Sequence, residues 1–140
     1  MSQFTIPIPF DWTSVSSGTQ YAPAAFAFVQ EGLGYTSNLF SVRQLEQYEL
    51  DELERHVTGQ QLCMGLRDFA IERFGLLAPV VLRHWGVCRT EDFGNIVFHM
   101  VDQEILRTSA QDSEEDFRAV FNFEEAFHQR ELAECIGSNL

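Results

Sequence analysis

Residues 76–101, LLAPVVLRHWGVCRTEDFGNIVFHMV, decide the predicted fold. Pro79 is suited to the first turn of a helix that runs to Trp85, and Gly86 begins a turn after it. Thr90 then caps a second helix, whose first turn is acidic as the helix dipole favours. Two helices joined by a short turn that contains glycine are typical of a helix-turn-helix.

The segment after this pair predicts a wing. Residues 105–109 can form a strand, residues 110–116 read as a polar, acidic loop, and residues 117–121 can form a returning strand. An alternative stays open, because Ser113 and the acids after it also suit a helix N-terminus, which would make 114–121 helical. The strand interpretation gives a winged-helix-like core.

The segment before the pair predicts a long amphipathic helix. Thr58 and Gln61 have the spacing of a capping box, and apolar residues recur at helical spacing as far as Phe74. Gly75 is well placed to end this helix.

The remaining segments are assigned from shorter patterns. Pro7 and Pro9 restrict a strand-like stretch at 4–10 to an edge strand or extended arm. Gly32 and Gly34 are expected to end a helix that begins at Ala22. The other predicted elements are a loop at 13–20, a loop at 35–41, an acidic amphipathic helix at 42–54 and a helix from Asn122 to Gly137.

Together these patterns predict one domain, 1–140, of the mainly α (α+β) class. Its parts are an extended arm and loop at 1–20, a helical core at 21–109, a wing-like loop or strand at 110–121 that gives a possible small β-hairpin, and a C-terminal helix and tail at 122–140.

Composition excludes several kinds of chemistry. The chain has nine arginines, no lysine and 21 acidic residues, for a net charge of −12. The absence of lysine removes Schiff-base catalysis and the phosphate-binding loop lysine. Three cysteines and no CxxC motif favour reduced thiols. The start lacks the basic and apolar regions of a signal peptide, so a cytoplasmic protein without membrane attachment is expected.

DNA binding is an alternative function that the charge pattern disfavours. A recognition helix presents Arg, Lys, Asn or Gln to base edges, but here only Asn95 and His99 qualify. The acidic wing loop would repel phosphate. A DNA-binding regulator would instead need the arginines to converge into one surface; the candidates are Arg83, Arg89, Arg107 and Arg118.

A small enzyme is the other alternative. His84 could act as a base and Cys88 as a nucleophile on either side of Trp85, which would then border a pocket. The more general expectation is that Trp85 anchors the core. His84 and Cys88 are separated by Gly86, which breaks the helix between them, so a metal site and a cofactor are not expected.

Several motifs resemble a small uncharacterised bacterial family of planctomycetes and verrucomicrobia. They are HVTGQ at 56–60, GLRDFAIERFG at 65–75, HWGV at 84–87, TEDFGNIVF at 90–98, DSEEDF at 112–117 and FEEAF at 123–127. The similarity covers roughly residues 21–128. Gln61 stands where an acid is expected and Cys63 where an aliphatic residue is expected. The family has no assigned activity, so the resemblance implies no catalytic or binding residue.

The leading functional hypothesis is a non-enzymatic, acidic protein–protein interaction module on a winged-helix-like scaffold. Its partner would be another protein or a second copy of the chain. The acidic second helix and the nearly uncharged N-terminal arm, residues 1–30 with Asp11 as their one charge, favour it. The predicted partner surface comprises Arg89, Phe93, Asn95 and His99.

Overall fold

A computed structural model describes residues 2–3, 11–45, 57–109 and 111–127. The described chain is mainly helical, which confirms the predicted fold class. The elements in chain order are β1 (Ser2–Gln3), α1 (Trp12–Ser16), α2 (Pro23–Leu45), α3 (Gly59–Phe74), a 3₁₀ turn (Gly75–Leu77), α4 (Ala78–His84), α5 (Thr90–Asp102), β2 (Leu106–Arg107), a second 3₁₀ turn (Glu114–Phe117) and α6 (Phe123–Ala126).

Helix α3 begins and ends where the sequence predicts. The Gln61 amide donates to the Thr58 hydroxyl at 3.1 Å, and the Thr58 amide donates to the Gln61 side chain at 3.0 Å. Both bonds satisfy amide groups that the first helical turn leaves unpaired. Gly75 ends the helix with a φ of +56°, a conformation that residues with a Cβ rarely adopt.

Helix α2 does not end at Gly32 or Gly34, and the predicted loop at 35–41 is wrong. Gly32 is instead a packing position, since a Cβ there would overlap the side chain of Leu66 on α3. One helical turn further on, Thr36 is buried against Gly65 of α3. The absent side chains let two helix backbones approach closely, and the packing that results outweighs the low helix propensity of glycine.

The predicted loop at 13–20 contains helix α1. Asp11 caps it by accepting hydrogen bonds from the amides of Thr13, at 3.1 Å, and Ser14, at 3.3 Å. An aspartate before a potential first turn was the sequence signal for this short helix.

The two-helix unit follows the prediction, and the wing does not. The predicted cap at Thr90 is wrong, because Arg89 occupies the N-cap of α5 and the Thr90 hydroxyl instead bonds to the Phe117 carbonyl. Helices α4 and α5 flank a turn in which Gly86 has a φ of +92°. Strand β2 pairs antiparallel with β1, with Gln3 opposite Leu106, so it forms no hairpin with residues 117–121. The segment 114–117 is a 3₁₀ turn, which is nearer to the helical alternative.

Phe117 explains why the returning strand is absent. The Phe117 ring is buried against Gly59 of α3 and Gly94 of α5. A Cβ added to either glycine would come within about 3 Å of an atom of the Phe117 side chain. The Thr90 hydroxyl donates to the Phe117 carbonyl at 2.7 Å and accepts from the Val120 amide at 3.2 Å. This anchoring directs the segment onto the helical core instead of into a β-ladder. The winged-helix interpretation is therefore not confirmed.

The predicted C-terminal helix is confirmed at its start, but α6 ends at Ala126, with Phe127 as its C-cap. The Asn122 side chain caps α6 by accepting from the amides of Glu124 and Glu125. The predicted arm at 4–10, the greater part of the predicted helix at 42–54 and the predicted helix beyond 127 lie outside the described residues.

Candidate functional site

The predicted recognition helix, α5, is a core element and not a surface helix. Seven of its thirteen residues are buried, and they include every large aliphatic side chain except Val101. Phe93 has no solvent exposure and packs 5.9 Å from the Phe123 ring between centroids. The prediction that Phe93 lies on a partner surface is therefore wrong, because its side chain is needed inside the core.

The other three predicted contact residues have different surroundings. Arg89 is exposed. Asn95 is also exposed, but its amide donates to the Tyr21 hydroxyl at 2.9 Å. His99 is half-buried, and its Nε2 lies 2.7 Å from the Val15 carbonyl oxygen, to which it donates. Asn95 and His99 are thus both hydrogen-bonded within the chain. Arg89 is the one polar side chain of the four that makes no hydrogen bond to another described residue.

A buried hydrogen-bond network joins the loop before α2 to the start of α5. The Tyr21 hydroxyl donates to Oδ1 of Asp92 at 2.6 Å. Oδ2 of Asp92 accepts from the amides of Cys88, at 2.9 Å, and Arg89, at 3.2 Å. Burial, and then the hydrogen bond to Asp92, raise the pKa of Tyr21. The network fixes the turn between α4 and α5, so Asp92 has a structural role that its place in the first helical turn only partly indicated.

A groove of about 640 Å³ opens beside the start of α5. Phe121 and Phe123 stack at one side of it, with ring centroids 5.5 Å apart. The full lining is Cys88, Arg89, Glu91, Ala119, Phe121, Asn122, Phe123, Glu124 and Glu125. This lining carries one arginine and three glutamates, so acidic side chains outnumber the cation there.

Glu91 is the best-fixed charge in this groove. Burial raises its pKa, but hydrogen bonds from its own backbone, the Thr90 hydroxyl and the Ala119 amide outweigh burial, so the net pKa is lowered. Glu91 therefore connects α5 to the segment after Phe117 and stays ionised at neutral pH.

Three of the four large apolar side chains that are exposed among the described residues lie in the 3₁₀ turn and α4. Leu76, Leu77 and Val80 expose 43%, 64% and 56% of their surface, and they follow one another closely in the chain. Arg83 is exposed one turn beyond Val80. We call Leu76, Leu77, Val80 and Arg83 the α4 strip. The sequence pattern does not indicate this strip, because the periodicity of so short a helix does not reveal which of its faces is covered by other elements.

The arginines of the DNA-binding alternative are all exposed, but they differ in their interactions. Arg118 lies 3.7 Å from Glu115, its neighbour in the second 3₁₀ turn. Arg89 and Glu91 both line the groove, and the charge of Arg89 helps to lower the pKa of Glu91. Arg107 is on β2, in the two-residue ladder. These positions place two of the arginines next to acids instead of in a uniformly cationic surface.

The residues of the enzyme alternative are both accessible. His84 ends α4 and Cys88 follows three residues after the half-buried Trp85, which packs against Phe28 and Phe74. This aromatic packing confirms Trp85 as a core anchor. Across the described ranges, no hydrogen bond joins His84 to Cys88, and no group of three His, Cys, Asp or Glu side chains could hold a metal ion.

The chain matches no protein-family model, no curated protein and no solved structure. Within the described part of the chain, no helix has both the length and the apolar character required to cross a bilayer.

Proposed function

We propose that this protein is a non-enzymatic interaction module that binds another protein through the α4 strip. The observation that carries the proposal is the joint exposure of Leu76, Leu77 and Val80. Single exposed apolar residues are common on protein surfaces, whereas adjacent ones indicate a site of interaction.

The strip can contribute a useful binding free energy. Complete burial of one Leu or Val side chain stabilises a complex by roughly 1.5–3 kcal/mol. Three side chains that are each about half exposed would therefore contribute roughly 2–4 kcal/mol before the cost of association. That is enough to form the centre of an interface when polar contacts surround it.

The strip also replaces the surface that the sequence predicted. Phe93 is buried, and Asn95 and His99 bind other parts of the same chain. A partner that used those residues would have to open the core, at a cost of several kcal/mol for an aromatic side chain. Arg89 is exposed, but it lines the groove beside the start of α5 and is not part of the α4 strip.

Neither alternative function gains a specific observation. A recognition helix must present one face to the major groove, but on α5 only Asn95 and Asp102 are exposed. A nucleophilic cysteine needs a positioned base, and no contact between Cys88 and His84 supports that pairing.

The experiment compares two variants in an affinity capture from the lysate of the source organism. Leu77→Ser/Val80→Ser changes the strip, and Met64→Ser changes a residue that is 42% exposed on α3 and serves as the matched control. Both are surface substitutions, so each is expected to change stability by only about 0.5 kcal/mol per site.

We expect one defined protein to be retained by the wild type and by Met64→Ser but lost from the double variant. The eluate is read by mass spectrometry and by its ratio of absorbance at 260 and 280 nm. Retention of the same protein by the double variant would exclude the α4 strip as the binding surface. Nucleic acid that elutes as salt is raised would favour the DNA-binding alternative.

A further inference from the structure

The groove beside the start of α5, which we call the α5 groove, carries a net negative charge from the residues that line it. Its lining includes three carboxylates, on Glu91, Glu124 and Glu125. The guanidinium group of Arg89 offsets one of them, which leaves an excess of two negative charges. Glu124 and Glu125 are exposed, and neither makes an ion pair with another described residue. The net charge of the whole chain, −12, has the same sign, so the local and the long-range field both favour a cationic ligand.

Two phenylalanine rings give the α5 groove an aromatic wall. Phe121 and Phe123 both line the groove, and both are half-buried, so neither is sealed in the core. The two rings stack with an interplanar angle of 21°. The face of an aromatic ring attracts cations, and a planar guanidinium group can stack on it while its N–H groups pair with a carboxylate. The wall and the carboxylates together therefore suit an arginine side chain.

The same chain binds one of its own arginines with this combination of groups. The guanidinium carbon of Arg73 lies 4.9 Å from the centroid of the Phe69 ring, and the same guanidinium group pairs with Glu31. A phenylalanine ring and a carboxylate thus hold an arginine side chain on the surface where α2 meets α3. The α5 groove presents the same two kinds of group, with two aromatic rings and more than one carboxylate.

Hydrogen bonds within the chain fix the wall of the α5 groove. Oε1 of Glu91 accepts from the Thr90 hydroxyl at 3.0 Å and from the Ala119 amide at 3.3 Å. Ala119 has a φ of +47°, a conformation that residues with a Cβ rarely adopt. The Thr90 hydroxyl also accepts from the Val120 amide at 3.2 Å. Because these bonds order the segment that leads into the aromatic wall, a ligand loses less free energy to the ordering of its site.

We infer that the α5 groove is a second binding site, which takes an arginine side chain from a segment of a partner protein. The guanidinium group of that arginine would stack on the aromatic wall formed by Phe121 and Phe123. Its N–H groups would donate to the carboxylates of Glu124 and Glu125. The groove, about 640 Å³ in volume, is open and has charged sides, which suits an extended segment, whereas sites for small molecules are more enclosed and mainly apolar. It shares no residue with the α4 strip, so either surface can bind without the other.

Three peptides test the site. Each has about eight residues, or roughly 26 Å when extended, and consists of glycine and serine around two central guest residues. The guests are arginine, lysine or citrulline, which is the uncharged analogue of arginine with the same planar end group. Each peptide is titrated into the isotope-labelled, full-length protein at about 0.15 M salt, and binding is followed by nuclear magnetic resonance of the backbone amides. The titration gives both the dissociation constant and the location of the contact.

We expect the arginine peptide to bind about threefold more tightly than the lysine peptide and about tenfold more tightly than the citrulline peptide, as stacking and exposed ion pairs allow. Its amide shifts should be concentrated at residues 88–91 and 119–125. Phe121→Leu keeps an apolar side chain but removes an aromatic face, so it should make the affinities of the arginine and lysine peptides equal. The amide spectrum of each variant without peptide shows whether it is folded.

Two double variants separate the groove from the charge of the whole chain. Glu124→Gln/Glu125→Gln removes two carboxylates of the groove and should weaken the arginine peptide by about tenfold. Glu114→Gln/Glu115→Gln removes two exposed acids of the second 3₁₀ turn that do not line the groove, and it should leave the affinity within about twofold. Because both variants raise the net charge by two, only contact within the groove distinguishes them.

Equal binding by the arginine and citrulline peptides, or equal effects of the two double variants, would overturn the inference. A lysine peptide that binds the wild type as tightly as the arginine peptide would exclude a role for the aromatic wall. If ethylguanidinium alone binds as tightly as the arginine peptide, the occupant is a small organic cation and not a protein segment. Dimer formation in sedimentation that Glu124→Gln/Glu125→Gln abolishes would assign the groove to a second copy of the chain, which itself has nine arginines. No saturable binding below about 5 mM peptide would exclude the site altogether.

Discussion

Removing the Tyr21 hydroxyl should measurably destabilise the protein. In Tyr21→Phe, the ring keeps its packing against Phe26, at 6.4 Å between centroids, but Oδ1 of Asp92 loses a donor at 2.6 Å. Asp92 is 4% exposed, so water has little access to replace that donor. A hydrogen bond to a charged group contributes about 1.5–3 kcal/mol.

The expected loss is near the middle of that range. Asp92 keeps the amide donors of Cys88 and Arg89, so its charge is not left without hydrogen bonds. We therefore expect the free energy of unfolding to fall by about 2 kcal/mol. For a domain of this size, such a loss lowers Tm by roughly 6–8 °C.

The contribution should also depend on pH in a defined direction. The pKa of Tyr21 is raised in the folded protein, first by burial and then by Asp92. Folding therefore favours the neutral phenol. Its contribution is complete below 10.0, the ordinary pKa of tyrosine, and declines as pH rises through the higher folded value. The difference in stability between the wild type and Tyr21→Phe should accordingly be constant near neutral pH.

The assay is urea unfolding followed by circular dichroism, with Asn95→Ala as the control. Asn95 bonds to the same hydroxyl but is exposed, so its loss should cost about 0.5 kcal/mol or less. A double-mutant cycle with Asp92→Asn measures the coupling, which we expect to exceed about 1 kcal/mol. A loss below about 0.5 kcal/mol in Tyr21→Phe, or no coupling to Asp92, would refute the proposed role of the network.

Two further predictions concern the core and the thiols. Gly65→Ala should lower the free energy of unfolding by about 1–3 kcal/mol, because its Cβ would overlap a threonine side chain of α2. Gly34→Ala, where a Cβ would meet nothing within 4 Å, should instead stabilise α2 by about 0.5–1 kcal/mol; equal effects in thermal unfolding would contradict the packing of α2 on α3. Burial raises the pKa of Cys63 to about 12, whereas Cys88 is exposed. In a Cys135→Ser background, a thiol reagent should therefore modify Cys88 in the folded protein and Cys63 only after unfolding, and rapid labelling of Cys63 under native conditions would contradict its burial.

Local signals predicted the elements whose ends are set by neighbouring residues. The capping box at Thr58 and Gln61 and the positive φ of Gly75 define α3 without help from the rest of the chain. Pro79 similarly places the start of α4, and Asn122 places the start of α6. Each of these helix ends is set by a hydrogen bond or a steric preference between residues a few positions apart, so the local sequence is sufficient to predict it.

The surface was less predictable than the elements. Phe93 was assigned to the partner surface but is buried, and the pattern around it is equally consistent with a buried and an exposed aromatic residue. The exposure of Leu77 and Val80 depends on which elements pack against α4, and that information is not local. Side-chain exposure is therefore the property that the sequence pattern predicted least well.

The sequence by itself determined the mainly helical class, the caps of α3 and α6, the helix pair α4 and α5, and the net charge of −12. Only the tertiary structure decided whether Gly32 ends a helix or lets the Leu66 side chain of α3 pack against it. The tertiary structure likewise decided whether Phe117 belongs to a strand or to the core, and which apolar residues stay exposed. The reason is that caps and turns depend on short-range hydrogen bonds and backbone sterics. Close packing, in contrast, depends on the shapes of segments that are far apart in the chain, and its free energy is large enough to override a local preference.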